Sequence, residues 1–106
     1  MFSVLIIEKD SKKMIEIAKK IVVLFPKSDI IPSFNIENAI EIIKKQSIQV
    51  VVVSLDLKDS KGRDLLERLG NWEFEILINK NNEIYSMQDY KQNSSGGYVL
   101  KSIETK

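Results

Sequence analysis

Apolar residues in this chain come in short unbroken runs separated by stretches with helical spacing, and the alternation repeats along most of its length. From Phe2 to Ile7 nearly every residue is apolar, and the run stops at the polar Glu8, Lys9 and Asp10. A run without polar alternation fits a strand buried on both faces, as in a parallel sheet. The period then changes: Met14, Ile17, Ala18, Ile21 and Val22 recur on one helical face, with Ser11 placed to cap the helix and Pro26 to end it. A short strand is expected over Asp29 to Pro32, after which Asn35 opens a second helix. Its stripe is Ile36, Ala39, Ile40 and Ile43, with Glu41, Lys44 and Lys45 outside it.

Ile48 to Val53 is the most apolar run and predicts a third strand. After a polar loop to Gly62, Leu65, Leu66 and Leu69 predict a short helix that stops at Gly70. Phe74 to Ile78 reads as a fourth strand, and Asn82 to about Gln92 as a weaker amphipathic helix carrying Ile84, Tyr85, Met87 and Tyr90. The turn Ser94 to Gly97 then releases Tyr98, Val99 and Leu100 as a fifth strand. Strands alternating with helices through short connections imply one α/β domain over residues 1–106, a doubly wound five-stranded parallel sheet whose functional crevice lies at the carboxyl ends of the strands.

That rule selects the candidate site: Glu8, Lys9 and Asp10 after the first strand, Ser54 and Asp56 after the third, Asn79 and Lys80 after the fourth, Lys101 and Ser102 after the fifth. The stretch VVVVSLDLKDSKG, Val50 to Gly62, is the sharpest part of it, because a buried strand ends there on a hydroxyl and not on an acid. Composition narrows the chemistry further. The 106 residues contain no cysteine and no histidine, which removes disulfides, thiolate nucleophiles, imidazole bases and nearly every zinc or haem arrangement. Sixteen basic side chains against fifteen acidic ones give a net charge of +1, with lysines scattered among glutamates, so a nucleic-acid surface is not expected. No stretch approaches the roughly 20 apolar residues that span a bilayer. A cytoplasmic protein without membrane contact is therefore expected.

The order and spacing of these residues resemble the receiver domain of two-component response regulators, the CheY-like module, over essentially the whole chain. Glu8 and Lys9 stand where the family has an acidic pair, and Ser54 where it has the phosphoacceptor aspartate, with Gly62 keeping the family's distance from it. Asn79 and Lys80 stand in place of a hydroxyl residue and its small neighbour. Tyr98, Val99, Leu100, Lys101 and Ser102 follow the family's aromatic, two apolar residues, lysine and proline. The resemblance implies the flavodoxin-like strand order 2-1-3-4-5. It also implies a fifth helix, for which the residues after Lys101 are too few, so that part of one sheet face is expected to be covered by self-association or by another segment.

The family's reaction needs a carboxylate nucleophile, a hard cation held by oxygen ligands and a lysine paired with the transferred group. Here Ser54 replaces the nucleophile and Lys9 the second acidic ligand, while Lys58 takes the place of a loop proline. The expectation is a degenerate phosphorylation pocket made of Glu8, Lys9, Asp10, Ser54, Asp56, Asn79 and Lys101, with no catalytic residue, no metal and no cofactor. Its charges would be balanced from within, Lys101 pairing with Glu8 or Asp10. Ser54 is read as a strand-end hydroxyl bonded to backbone. Asp56 is read as a loop residue or a partner of Lys58 or Lys101. Tyr98 joins Tyr85, Met87 and Tyr90 in an interaction face.

The expected function is that of a phosphorylation-independent pseudo-receiver, a protein-interaction or dimerisation module in bacterial-type signalling or transcriptional regulation. The alternative is a receiver that accepts a phosphoryl group on Asp56 or Asp10 with magnesium. A flavin or nucleotide binder is set aside, since none of the strand-to-helix turns is glycine-rich.

Overall fold

The structure is a computed structural model and describes residues 2–54, 68, 74–80, 82–88 and 99–102. Among these, the elements in chain order are β1 (Ser3–Ile7), α1 (Ser11–Leu24), β2 (Asp29–Ser33), α2 (Ile36–Lys45), β3 (Val50–Ser54), β4 (Glu75–Lys80), β5 (Glu83–Gln88) and β6 (Val99–Ser102). The strands form one sheet in the order β2-β1-β3-β4-β5-β6.

The amino-terminal half follows from its apolar pattern. β1 and the four valines of β3 are buried along their length because helices cover both faces of the sheet. Alternate residues supply two cores. Leu5, Ile7, Val51, Val53, Ile76 and Ile78 pack with Ala39 and Ile43 of α2. Val4, Ile6, Val50, Val52, Leu77 and Ile84 pack with Met14, Ile17 and Ile21 of α1. β1 pairs in parallel with both β2 and β3, so the connections through α1 and α2 lead to opposite sides of it and leave the crevice of a doubly wound sheet at the ends of β1 and β3. β2 forms an edge, where Pro32 is tolerated.

Both helices start on a side-chain oxygen. Asp10, not Ser11, caps α1: its Oδ1 accepts from the backbone N–H groups of Lys12 at 2.8 Å and Lys13 at 3.3 Å. Asn35 caps α2 as expected, accepting from the Asn38 N–H at 2.8 Å. Each cap satisfies amide donors that the first helical turn leaves unpaired. Val22, expected in the buried stripe of α1, is instead 50% exposed, because the stripe is centred on Met14, Ile17 and Ile21 and Val22 lies to its side.

The α/β class and the order 2-1-3-4-5 hold for the first five strands, but the fifth is not the expected one. Residues Glu83–Gln88 form a strand antiparallel to β4 instead of a helix. Lys80 pairs with Glu83, leaving two residues for the reversal, and Asn82 takes φ 63, a left-handed conformation that asparagine tolerates. Ile84 and Met87 stand three apart, which suits a helix, but Glu83 to Gln88 equally suits a strand that sends Ile84 to one core and Tyr85 to the other. The expected last strand, β6, pairs antiparallel with β5 and so runs in the same direction as β4, as a sixth strand.

Arg68 is helical and exposed, within the short helix expected after Gly62. The rest of the expected helix, including Leu65, Leu66 and Leu69, lies outside the described residues, as do Asp56, Lys58, Gly62, Tyr90, Tyr98 and the turn before β6. No described helix is long and apolar enough to cross a membrane.

Candidate functional site

Three polar residues expected at the crevice do come together. Ser54, the last residue of β3, is the register partner of Asn79 in β4. Glu8 follows Ile7, whose partner is Val53, so Glu8 is level with Ser54. Side chains alternate along a strand, and Ile6, Val52 and Leu77 belong to the core under α1. Glu8, Ser54 and Asn79 therefore continue that face outward as a row across three adjacent strands, spaced roughly 4.8 Å apart.

The row is more buried than a solvated rim. Glu8 is 7% exposed and Asn79 is 8% exposed, with Ser54 partly covered. The Glu8 backbone N–H donates to the Ser33 carbonyl at 3.0 Å, holding the chain at the point where β1 gives way to the loop. Ser33 is fully buried on the other face, and its hydroxyl shares its one proton between the Asn35 carbonyl at 2.9 Å and Asn38 Oδ1 at 3.1 Å, tying β2 to the start of α2. Asn79 Oδ1 is buried without a hydrogen-bond partner among the described residues. An unpaired carbonyl oxygen in such a place carries its full desolvation cost.

The other candidates are placed differently. Asp10 is committed to the first turn of α1 by its two amide bonds, and Lys9 beside it is exposed. Lys80 pairs with Glu83 at the hairpin. Lys101 is the partner of Ser86, which is the partner of Leu77, so it lies one two-residue step below the level of Asn79 and on the far side of β5. Four strand spacings, roughly 19 Å, separate β6 from β1. A lysine and a glutamate do not span that distance together, so the register does not bring Lys101 to Glu8, nor to Asp10 beyond it. The insertion of β5 is the physical reason.

The expected interaction face is altered for the same reason. Tyr85 and Met87 are not on a helix but in β5. Tyr85 packs at the margin of the α2 core, and its hydroxyl donates to Glu83 Oε2 at 2.7 Å. That bond to Glu83, with some desolvation and the nearby negative charge, holds the phenol above its ordinary range.

Chemically the row offers one carboxylate, one hydroxyl and one carboxamide. No cluster of three acidic, histidine or cysteine residues suited to a metal ion occurs among the described residues. Sequence reasoning named all three members of the row but missed the hairpin, although two asparagines between apolar runs at Asn81 and Asn82 are a turn signal. It also missed an apolar cleft at the opposite end of the sheet, between Phe2 and the end of α1. Comparison with family models, with curated proteins and with solved structures gives no match to the chain.

Proposed function

We propose that the chain is a phosphorylation-independent pseudo-receiver, a cytoplasmic module without catalytic activity that acts by binding a protein partner or a second copy of itself in bacterial-type signal transduction or transcriptional regulation. The observation that carries this reading is the row Glu8, Ser54 and Asn79, which occupies the strand ends where phosphoryl chemistry would take place and contains one carboxylate where that chemistry needs a nucleophilic acid and acidic metal ligands. Support also comes from Asp10, whose carboxylate is engaged as a helix cap, and from the register that sets Lys101 far from Glu8. A hydroxyl at Ser54 does not form the acyl phosphate on which reversible phosphotransfer depends.

The test is incubation of the protein with magnesium and a small acyl phosphate donor, followed by intact mass measurement. An unchanged mass is expected. A phosphoryl adduct mapping to Asp56 or Asp10 would overturn the reading in favour of a working receiver.

A further inference from the structure

The end of the molecule opposite the polar row carries a feature that the pocket chemistry does not use. Phe2 precedes β1 and is 40% exposed, and its ring stacks on Phe25 at the end of α1 with centroids 5.3 Å apart. Beside this pair a cleft of about 340 Å³ opens between Phe2 and the segment from Leu24 to Ser28. Its walls are apolar, and the Ser28 hydroxyl at its mouth is already donated to the Phe25 carbonyl at 2.8 Å. A small molecule would find almost nothing polar there to fix its orientation. Val22 and Val23, 50% and 55% exposed, extend the apolar surface from the cleft onto α1, and Ile15 continues it two turns away.

Charge singles out this surface. Residues 11–27 hold Lys12, Lys13, Lys19, Lys20 and Lys27 against the single acid Glu16, whereas the remainder of the chain has eleven basic and fourteen acidic side chains. All five lysines are exposed or half-exposed. Lys19, Lys20 and Lys27 lie toward the cleft end of α1 and Lys12 and Lys13 at its far end, against Glu16 and the exposed Asp29, whose backbone N–H donates to the Phe2 carbonyl at 2.8 Å, so the border of the apolar patch is positive on balance.

We infer that the cleft between Phe2 and the end of α1 is the docking site of an acidic amphipathic helix presented by a partner protein. The apolar side chains of such a helix, at i, i+3 or i+4 and i+7, enter the cleft and cover Val22 and Val23, while its carboxylates face the lysines. Two copies of α1 laid against each other would oppose lysine to lysine, so this face does not suit a symmetric dimer. An anionic bilayer would match the charge as well, and the vesicle arm of the test separates it from a helix. The inference deepens the reading of the chain as an interaction module and rests on it, yet it involves none of the residues of the polar row.

The test is a titration of the isotopically labelled protein with a synthetic helical peptide bearing leucine and phenylalanine on one face and glutamate on the other. Amide shifts are expected at Phe2, Val22 to Phe25, Lys27 and Ser28, saturating with peptide, and the affinity is expected to fall roughly tenfold between about 50 and 300 mM salt. Val23→Asp, at an exposed position, is expected to keep the wild-type circular dichroism and weaken binding at least tenfold, roughly. Several results would overturn the proposal: no saturable shifts at millimolar peptide, an equal response to a scrambled peptide, or binding to anionic phospholipid vesicles with none to the peptide. Shifts at the same residues that grow with protein concentration alone would assign the face to self-association instead. A failed titration removes this docking site and leaves the polar row untouched, whereas a phosphoryl adduct removes the functional reading whatever the peptide does.

Discussion

Replacing Asn79 by leucine is expected to stabilise the protein, although it removes a polar residue from the row at the strand ends. Asn79 is 8% exposed, and its Oδ1 has no partner among the described residues. Turning the carboxamide over would only exchange an unpaired acceptor for an unpaired donor. Relief of that desolvation amounts to about 1–3 kcal/mol. Leucine has nearly the same branching and continues the apolar face of Leu77 and Ile84, so its buried surface adds about 1 kcal/mol. Against these stands the loss of whatever the amide nitrogen donates to, about 1 kcal/mol. The balance is a gain of roughly 1–3 kcal/mol, which for a domain of this size raises the urea midpoint by roughly 1–2 M. Urea unfolding followed by circular dichroism measures it. Destabilisation by 1 kcal/mol or more, roughly the value of one lost hydrogen bond, would refute the reasoning and show that the oxygen is satisfied in solution.

Three further outcomes follow from other parts of the structure. Asn82→Gly is expected to be nearly neutral, whereas Asn82→Val, with a β-branched residue at φ 63, is expected to cost about 1–2 kcal/mol in the same urea assay; equal stability of the two variants would remove the hairpin. Asp10→Ala is expected to cost about 1 kcal/mol through loss of the α1 cap, while Asp10→Asn keeps an oxygen for the Lys12 and Lys13 amides and costs little; an equal loss in both would mean that the charge, not the cap, matters. In an absorbance titration of the tyrosines, Tyr85 is expected to ionise at higher pH than an ordinary phenol, and Glu83→Gln to bring it back. Because its folded-state pKa is raised, the stabilisation from this bond is fully present below the ordinary phenol pKa of about 10 and is lost as pH rises through the raised value. A Tyr85 titration unchanged by Glu83→Gln would contradict the bond.

The half of the fold around β1, α1, β2, α2 and β3 was legible because each signal there has one physical meaning. Four valines in a row do not make a surface strand, and Asn35 ahead of an apolar stripe at helical spacing makes a helix start. Beyond β4 the signals are two-valued. Ile84 and Met87 satisfy a helical spacing, while Ile84 and Tyr85 satisfy a strand buried on both sides, and only pairing with β4 decides between them. The candidate site inherits that division. Glu8, Ser54 and Asn79 were placed correctly because they end strands whose register follows from burial, whereas Lys101 was misplaced because its position depends on a strand, β5, that was read as a helix. The Phe2 cleft had no periodic signal at all, since its residues lie on either side of element boundaries and meet only in the folded chain.

The central proposal is that the ends of β1, β3 and β4 hold a receiver-like arrangement without the acids that phosphoryl chemistry needs. Magnesium titration tests it most directly, with amide shifts of Glu8, Ser54 and Asn79 followed in the wild type and in a Lys9→Asp/Ser54→Asp variant, which supplies the missing acids at the ends of β1 and β3. The account predicts no saturable shifts in the wild type or in either single variant, and saturable shifts in the double variant. Saturable magnesium binding at these residues in the wild type would contradict it.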